Sequence, residues 1–164
     1  MNLEAQRITA APIRKTLRVS ASPKLAFEVF VGSMHSWWPL EHSLVQGRRD
    51  IVIEPRVDGR WYEVSGDGIE QQWGKVLAWD APDRVLLAWQ LNADFAYDPE
   101  LVTEVEIAFL PEGDETRVEF EHRHLDRLGA EGLAKLAEME MGMDEGWGDI
   151  LARYARTASE REAA

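Results

Sequence analysis

AEGLAKLAEMEMGMDEGWGDILARY, residues 130–154, is the segment with the strongest helical periodicity in this chain, and it constrains the architecture of the whole domain. Its apolar side chains recur at steps of three and four residues, the spacing that places them on one face of an α-helix. These side chains are Leu133, Leu136, Met139, Met143, Trp147, Ile150 and Tyr154. Because no proline interrupts the run, the pattern predicts a single helix of about 40 Å. Such a helix is only marginally stable alone, so its apolar face must pack against the rest of the chain.

Two glycines, Gly142 and Gly146, lie beside this apolar face. Each weakens a helix by roughly 1 kcal/mol relative to alanine, so a structural reason for them is expected. One interpretation is a close approach of the backbone to a sheet, or a bend over it. The other interpretation is space left for a ligand. A membrane-dimer motif is excluded because the segment also carries several acidic residues.

The composition restricts the classes of partner and chemistry. A length of 164 residues suits one domain with a substantial core. The net charge of −12 would repel nucleic acid and anionic membrane surfaces, so neither is expected as a partner. Without cysteine, the chain has no disulfide, thiolate nucleophile or cysteine metal site. Residues 1–12 lack an apolar signal core, and no apolar run is long enough to cross a membrane, so we expect a cytoplasmic protein.

The sequence before the long helix predicts short helices and strands. Residues 15–20 alternate as a first strand, and Ser22 with Pro23 favours a short helix over residues 24–31. Residues 33–39 predict one further helical turn. Six antiparallel strands in meander order are predicted at residues 51–53, 60–64, 71–79, 84–91, 103–110 and 115–124.

Turns and termini divide the chain further. Asp58 and Gly59 favour a two-residue hairpin turn. Residues 92–100 form the longest polar interruption between strands, and with Phe95 and Tyr97 they suggest a mobile flap at one end of the sheet. The predicted organisation is an N-terminal extension (1–13), one domain (14–156) and a polar C-terminal tail (157–164). A curled sheet cannot close tightly along a whole helix, so a cavity between the two is expected.

Two pairs of neighbouring residues are candidates for the site. Trp37 and Trp38 cannot share one helical face, so one indole is predicted to pack inward while the other covers an opening; ordinary packing of both is the alternative. His122 and His124 are two apart on a predicted strand, on the apolar face of Phe120. Either His122 forms a hydrogen bond to a ligand or to buried water, or its hydrogen bonds are satisfied by other groups of the protein. A metal would need a third ligand that the sequence does not supply, so no metal or cofactor is predicted.

Several short motifs in order resemble the SRPBCC (START-like) superfamily, specifically its group similar to the activator of heat-shock protein 90 ATPase homologues. The motifs are WWP at 37–39, GRWYEV at 59–64, WGKV at 73–76, APDRVL at 81–86 and GW at 146–147. The resemblance spans residues 14–155. It implies an α+β helix-grip fold, in which a seven-stranded antiparallel sheet wraps a long C-terminal helix, with two short helices after the first strand. It also implies a pocket for small hydrophobic molecules, in a superfamily of lipid and hormone binders, polyketide cyclases and stress-response chaperone activators.

We therefore predict a binding or carrier protein, without catalytic turnover, for a small apolar or aromatic molecule. The side chains expected to line its cavity are Trp37, Trp38, Tyr62, Trp73, Trp89, Phe120, His122, Met139, Met143 and Trp147. His122 and Tyr62 are the expected polar recognition groups. One alternative is an enzyme of cyclase or hydratase type that uses a cavity histidine as general acid or base. Another is a chaperone-activating interaction domain, and a homodimer is a further expected assembly.

Overall fold

A seven-stranded antiparallel sheet forms one layer of the structure and supports the helices that pack on it. The computed structural model describes residues 10–138 and 143–163. The strands are β1 (Ile13–Val19), β2 (Arg48–Ile53), β3 (Arg60–Ser65), β4 (Glu70–Asp80), β5 (Arg84–Trp89), β6 (Thr103–Glu112) and β7 (Glu115–Arg123). Their spatial order is β1-β7-β6-β5-β4-β3-β2, so β2 to β7 form a meander and β1 lies beside β7. The predicted helix-grip architecture and the meander are confirmed.

The first helix, α1 (Pro23–Gly32), follows β1 as predicted. The hydroxyl oxygen of Ser22 accepts a hydrogen bond from the backbone N–H of Leu25 over 3.2 Å, which caps the helix where Pro23 starts it. Two short 3₁₀ turns, Met34–Ser36 and Leu40–His42, lead the chain from α1 to β2.

The C-terminal helical region differs in detail from the prediction. A 3₁₀ turn (Leu125–Leu128) leads into helix α2 (Gly129–Ala137), and a second helix, α3 (Met143–Ala163), follows. The single helix predicted over residues 130–154 is wrong in this respect, because α2 already ends at Ala137. Apolar residues of both helices face the cavity described below, so their common periodicity concealed the boundary.

Helix α3 supplies the side chains that close the core over the sheet. Its buried residues are Trp147, Ile150, Leu151, Tyr154 and Ala158. The hydroxyl of Tyr154 donates a hydrogen bond to the carbonyl oxygen of Ala26 over 2.7 Å, which joins α3 to α1. Residues 157–163, expected as a polar tail, continue α3, and burial of Ala158 shows that this last part still packs on the protein.

The hairpin between β2 and β3 is longer than the predicted two-residue turn. The strands end at Ile53 and resume at Arg60, so residues 54–59 form the loop. Its backbone leaves the hairpin to contact the next strand, since the N–H of Asp58 donates to the carbonyl oxygen of Val76 in β4 over 2.9 Å. This pairing with a third strand is a tertiary contact that a local turn motif does not reveal.

Candidate ligand-binding site

A cavity of about 260 Å³ lies between the sheet, the loop after α1 and the C-terminal helices. Its lining is mostly apolar, which suits a small hydrophobic guest. The sheet and the residues after β5 contribute Trp73, Trp89, Leu91 and Phe95; α2 and α3 contribute Leu136, Met143, Gly146, Trp147 and Ile150; and the loop after α1 contributes Trp38, Glu41, His42, Ser43 and Leu44.

Four of the lining side chains are tryptophans in mutual contact, and we call Trp38, Trp73, Trp89 and Trp147 the four-indole wall. The ring centroids of Trp38 and Trp73 lie 4.8 Å apart, and those of Trp73 and Trp89 lie 6.1 Å apart. Trp147 closes the ring of contacts, at 5.5 Å from Trp89 and 5.7 Å from Trp38. These tilted and edge-to-face arrangements are the favourable ones for aromatic pairs. The wall therefore offers a large and rigid aromatic surface to the cavity.

His122 lies behind this wall and is held from both sides. Its Nδ1 accepts a hydrogen bond from the indole N–H of Trp147 over 3.1 Å. Because Nδ1 is the acceptor, Nε2 carries the proton of the neutral ring and donates to the hydroxyl oxygen of Thr103 over 2.8 Å. That hydroxyl in turn donates to the carbonyl oxygen of Trp89 over 3.0 Å. The chain of bonds links α3, β7, β6 and β5.

The environment of His122 keeps the ring neutral. The residue is fully buried, and burial lowers its pKa to about 3. Both ring nitrogens are already bonded within the protein. His122 therefore positions Trp147, and its geometry does not suit proton transfer to a guest at neutral pH. His124 lies beyond the end of β7, has a positive φ of 64° and is exposed. Contrary to the prediction, it therefore does not share the buried face with His122.

A buried carboxylate holds a second indole of the wall. Glu63 in β3 is fully buried, and its Oε1 accepts a hydrogen bond from the indole N–H of Trp73 over 2.9 Å. The same carboxylate accepts the backbone N–H groups of Leu44 and Val45. These three N–H donors offset the cost of taking the charged group out of water.

The cavity reaches the surface beside Glu41 and His42, both of which are exposed. Glu41 lies 3.6 Å from the guanidinium of Arg153 on α3. The flap, residues 92–100, borders the cavity through Phe95 and is tied to α2 by an ion pair between Asp94 and Lys135. The mouth is thus polar, whereas the interior is aromatic.

The structure places the predicted lining residues in four groups. Five line the cavity, namely Trp38, Trp73, Trp89, Met143 and Trp147. Trp37, Phe120 and His122 are buried in the core behind the cavity lining. Tyr62 lies on the outer face of the sheet, where the guanidinium of Arg60 stacks 4.2 Å from its ring centroid. Met139, like Gly142, lies outside the described residues.

Both members of the double tryptophan are buried, so neither is an exposed cover. Trp37 donates its indole N–H to the carbonyl oxygen of Val29 over 3.0 Å and packs against Tyr154 at 5.2 Å. Trp38 points to the other side and joins the four-indole wall. The two rings therefore pack in different places, and neither is exposed over an opening as was expected.

Sequence reasoning missed the lining residues from the loop after α1. Glu41, His42, Ser43 and Leu44 have no periodic pattern, and their place beside the cavity depends on bonds from distant strands. For Gly146, the sequence left open a close approach of the backbone or space for a ligand. The structure supports the second interpretation, because a Cβ added there would meet no atom within 4 Å.

The described part of the chain contains neither a cluster of metal ligands nor a helix suited to crossing a membrane. Within residues 10–138 and 143–163, no three histidine or acidic side chains converge in a way that would hold a metal ion. No helix in these residues combines the length and apolar character needed to cross a membrane.

Comparison with solved structures identifies relatives that cover nearly the whole chain. The anthrahydroquino-Gama-pyrone synthase Txn09, complexed with SUM, is 33% identical, with a TM-score of 0.60, 90% of this chain covered and 96% of that chain. The self-sacrificing resistance protein CalC from Micromonospora echinospora is 31% identical, with a TM-score of 0.67 and coverages of 93% and 96%. No curated protein matches the chain in sequence.

The Aha1 dimer from Colwellia psychrerythraea has the same fold, with a TM-score of 0.63, 16% identity and coverages of 92% and 97%. A family model described as Activator of Hsp90 ATPase homolog 1-like protein matches residues 20–158. The match includes α1, all strands from β2 to β7, and the helices that enclose the cavity. The chain therefore belongs to the Activator of Hsp90 ATPase homolog 1-like protein family.

Proposed function

We propose that this protein binds a small aromatic molecule in the cavity between its sheet and its C-terminal helices, and carries it in the cytoplasm without converting it. The observation that supports this function most directly is the four-indole wall, which lines a cavity of about 260 Å³. Indole faces favour flat aromatic guests, because aromatic pairs gain about 0.5–1.5 kcal/mol beyond the burial of their area.

The size and polarity of the cavity narrow the class of guest. Its volume lies just below the range of roughly 300–1,000 Å³ that is typical of drug-sized sites, so a molecule of two to three fused rings suits it better than a long lipid. The polar side chains Glu41, His42 and Ser43 are confined to the loop after α1. We expect the guest to place its rings against the wall and one polar group toward this loop.

One relative, Txn09, supports an aromatic guest. Txn09 is named as an anthrahydroquino-Gama-pyrone synthase, and such a name denotes a product with fused aromatic rings. For the present chain we propose only this general class of guest, a molecule with fused aromatic rings. The identity of 33% and the conserved fold make a related guest a reasonable first choice for screening.

Catalysis is the second candidate function, because Txn09 is a synthase. His122, one histidine that could have served as the general acid or base, is unsuitable, since both ring nitrogens are hydrogen-bonded within the protein and burial lowers its pKa to about 3. A catalytic role would have to rely on His42 or Glu41 at the mouth. Mass analysis of each candidate guest after incubation with the protein distinguishes the two functions, since a carrier returns the molecule unchanged.

A chaperone-activating role would need a functional outer surface and would not need the cavity. The cavity and its aromatic lining are better explained by a guest. The expected homodimer is compatible with either function, and the Colwellia psychrerythraea relative is a dimer. Light scattering of the purified protein tests this assembly directly.

Two measurements test the proposed function. Native mass spectrometry of freshly purified protein should detect a retained small molecule. Titration with 1-aminoanthracene, a flat three-ring probe, should quench tryptophan emission with saturation, since four of the seven tryptophans line the cavity. A protein that retains no molecule and shows no saturable change with this or other flat aromatic probes would contradict the proposal.

A further inference from the structure

The segment that follows Trp38 forms one side of the cavity although little apolar burial holds it there. Its 3₁₀ turn, Leu40–His42, contains no buried residue, and Leu40 is 70% exposed. Residues 39–45, which we call the cavity loop, nevertheless contribute four lining side chains: Glu41, His42, Ser43 and Leu44. Since a segment with few buried apolar side chains is held weakly, other contacts must fix its position.

Arg48, at the start of β2, supplies the first set of contacts. Its Nη2 donates hydrogen bonds to the carbonyl oxygens of Trp38, over 2.7 Å, and His35, over 3.2 Å. Its Nη1 donates to the carbonyl oxygen of Pro39, over 3.2 Å, and to the hydroxyl oxygen of Ser43, over 3.0 Å. One guanidinium therefore satisfies four acceptors within residues 35–43, which a lysine ammonium cannot do with the same geometry.

Glu63 supplies the second set of contacts. Its Oε1 accepts hydrogen bonds from the backbone N–H of Leu44, over 2.8 Å, and from the indole N–H of Trp73, over 2.9 Å. Its Oε2 accepts the N–H of Val45 over 3.3 Å. A single oxygen thus joins the cavity loop to the sheet at two residues that both line the cavity.

We propose that Arg48 and Glu63 are positioning residues that fix the cavity loop against the four-indole wall and so determine the size of guest that the cavity accepts. This inference rests on the proposed binding function. Neither residue lines the cavity, so each acts through the residues it holds. Burial of charged groups adds little net stability, because their desolvation is costly. Their directional hydrogen bonds can nevertheless fix one arrangement of a segment.

The variant Glu63→Gln tests the role of Glu63. The side chain keeps its size, but its amide directs an N–H toward one of the three donors, so at least one bond is lost. We expect hydrogen exchange at the Leu44 and Val45 amides to become at least about tenfold faster, and the dissociation constant for 1-aminoanthracene to rise about tenfold. We also expect the wild-type protein to bind 1-aminoanthracene more tightly than the larger 1-aminopyrene, and the variant to lose most of this preference.

Glu54→Gln is the matched control. Glu54 is a partly buried carboxylate in the loop after β2, where its Oε1 also accepts a backbone N–H, that of Arg60 over 2.7 Å, but it holds no residue of the cavity loop. This variant should preserve both the amide exchange of the cavity loop and the ratio of probe affinities. Arg48→Lys, a second variant, keeps the charge but should reproduce the changes seen in Glu63→Gln.

The readouts separate this inference from the proposed function. If the wild-type protein binds neither probe, the binding function fails for flat aromatic guests, and the positioning role is then decided by amide exchange alone. Unchanged exchange at Leu44 and Val45 in folded Glu63→Gln would overturn the positioning role. So would a probe-affinity ratio that stays at the wild-type value, or one that shifts equally in Glu54→Gln.

Discussion

The indole N–H of Trp147 donates a hydrogen bond to Nδ1 of His122 over 3.1 Å, and this contact joins helix α3 to strand β7 inside the core. It orients one member of the four-indole wall and fixes the tautomer of the histidine. The proton on Nε2 is consequently directed to Thr103. The histidine thus contributes to the shape of the cavity while remaining out of reach of a guest.

The pH dependence of stability should report on His122. Burial lowers its pKa to about 3 in the folded protein, whereas the unfolded chain has a value of about 6.5. Between these values the unfolded chain binds a proton that the folded protein excludes, so stability falls as the pH decreases from about 6.5 toward 3. Between pH 7 and pH 5 we expect this group to account for a loss of about 2 kcal/mol.

Urea denaturation of wild-type protein and of His122→Asn at several pH values measures this contribution. The asparagine carbonyl can still accept the N–H of Trp147, but the side chain does not titrate. The variant will be less stable at pH 7, so the slopes with pH are compared and not the absolute values. Equal slopes between pH 7 and pH 5 would show that His122 does not have the pKa described here.

Gly74 should tolerate no side chain. A Cβ at this position in β4 would collide with the carbonyl oxygen of Ala88 in β5, so the two strands would have to separate. We expect Gly74→Ala to lower the free energy of unfolding by about 3 kcal/mol or more. Gly66→Ala is the control, because its Cβ would meet only the carbonyl oxygen of Gly47, at 3.9 Å. A urea midpoint for Gly74→Ala that equals that of the control would contradict this close approach.

The ion pair between Asp94 and Lys135 should influence how fast a guest leaves. It connects the flap to α2 beside the cavity, and both side chains are more than half exposed, so it contributes little to global stability. We expect Asp94→Asn to leave the urea midpoint nearly unchanged and to raise the dissociation rate of 1-aminoanthracene several-fold. Stopped-flow displacement measures this rate.

Salt and a charge-matched variant provide the controls for this pair. High salt screens exposed ion pairs, so it should accelerate dissociation from wild-type protein but have little effect on Asp94→Asn. Glu131→Gln removes one acidic group from α2, one turn from Lys135, and should dissociate like wild type. Identical rates for wild type and Asp94→Asn would show that the flap does not restrict the exit of the guest.

Much of the fold was predictable because the strands alternate and the last helices have an apolar face. Alternation identifies the strands by local pattern alone, as in β6 and β7, where buried and less buried residues alternate along each strand. The separation of α2 from α3 was not predictable in this way, since the apolar period continues across both. The same periodicity predicted cavity side chains on α3, where Met143 and Trp147 border the cavity.

The polar part of the site was harder to predict. In β3, Trp61 and Glu63 share the inward face, so Tyr62 faces outward although an aromatic residue was the more obvious recognition group. A buried carboxylate is stable there only because Leu44, Val45 and Trp73 bring three N–H donors to it. These donors come from a distant loop and another strand, so no local pattern in the sequence identifies them.

A paired substitution on α3 tests the binding cavity most directly. Gly146 lines the cavity, and a leucine side chain there would occupy the space of a guest, whereas Gly148 does not line it. Leucine also favours a helix by roughly 0.8 kcal/mol over glycine, so lost binding cannot be attributed to unfolding if stability is maintained. We therefore compare the dissociation constants of 1-aminoanthracene for wild type, Gly146→Leu and Gly148→Leu. We expect at least about tenfold weaker binding for Gly146→Leu and wild-type affinity for Gly148→Leu; wild-type affinity in a folded Gly146→Leu variant would contradict a guest in this cavity.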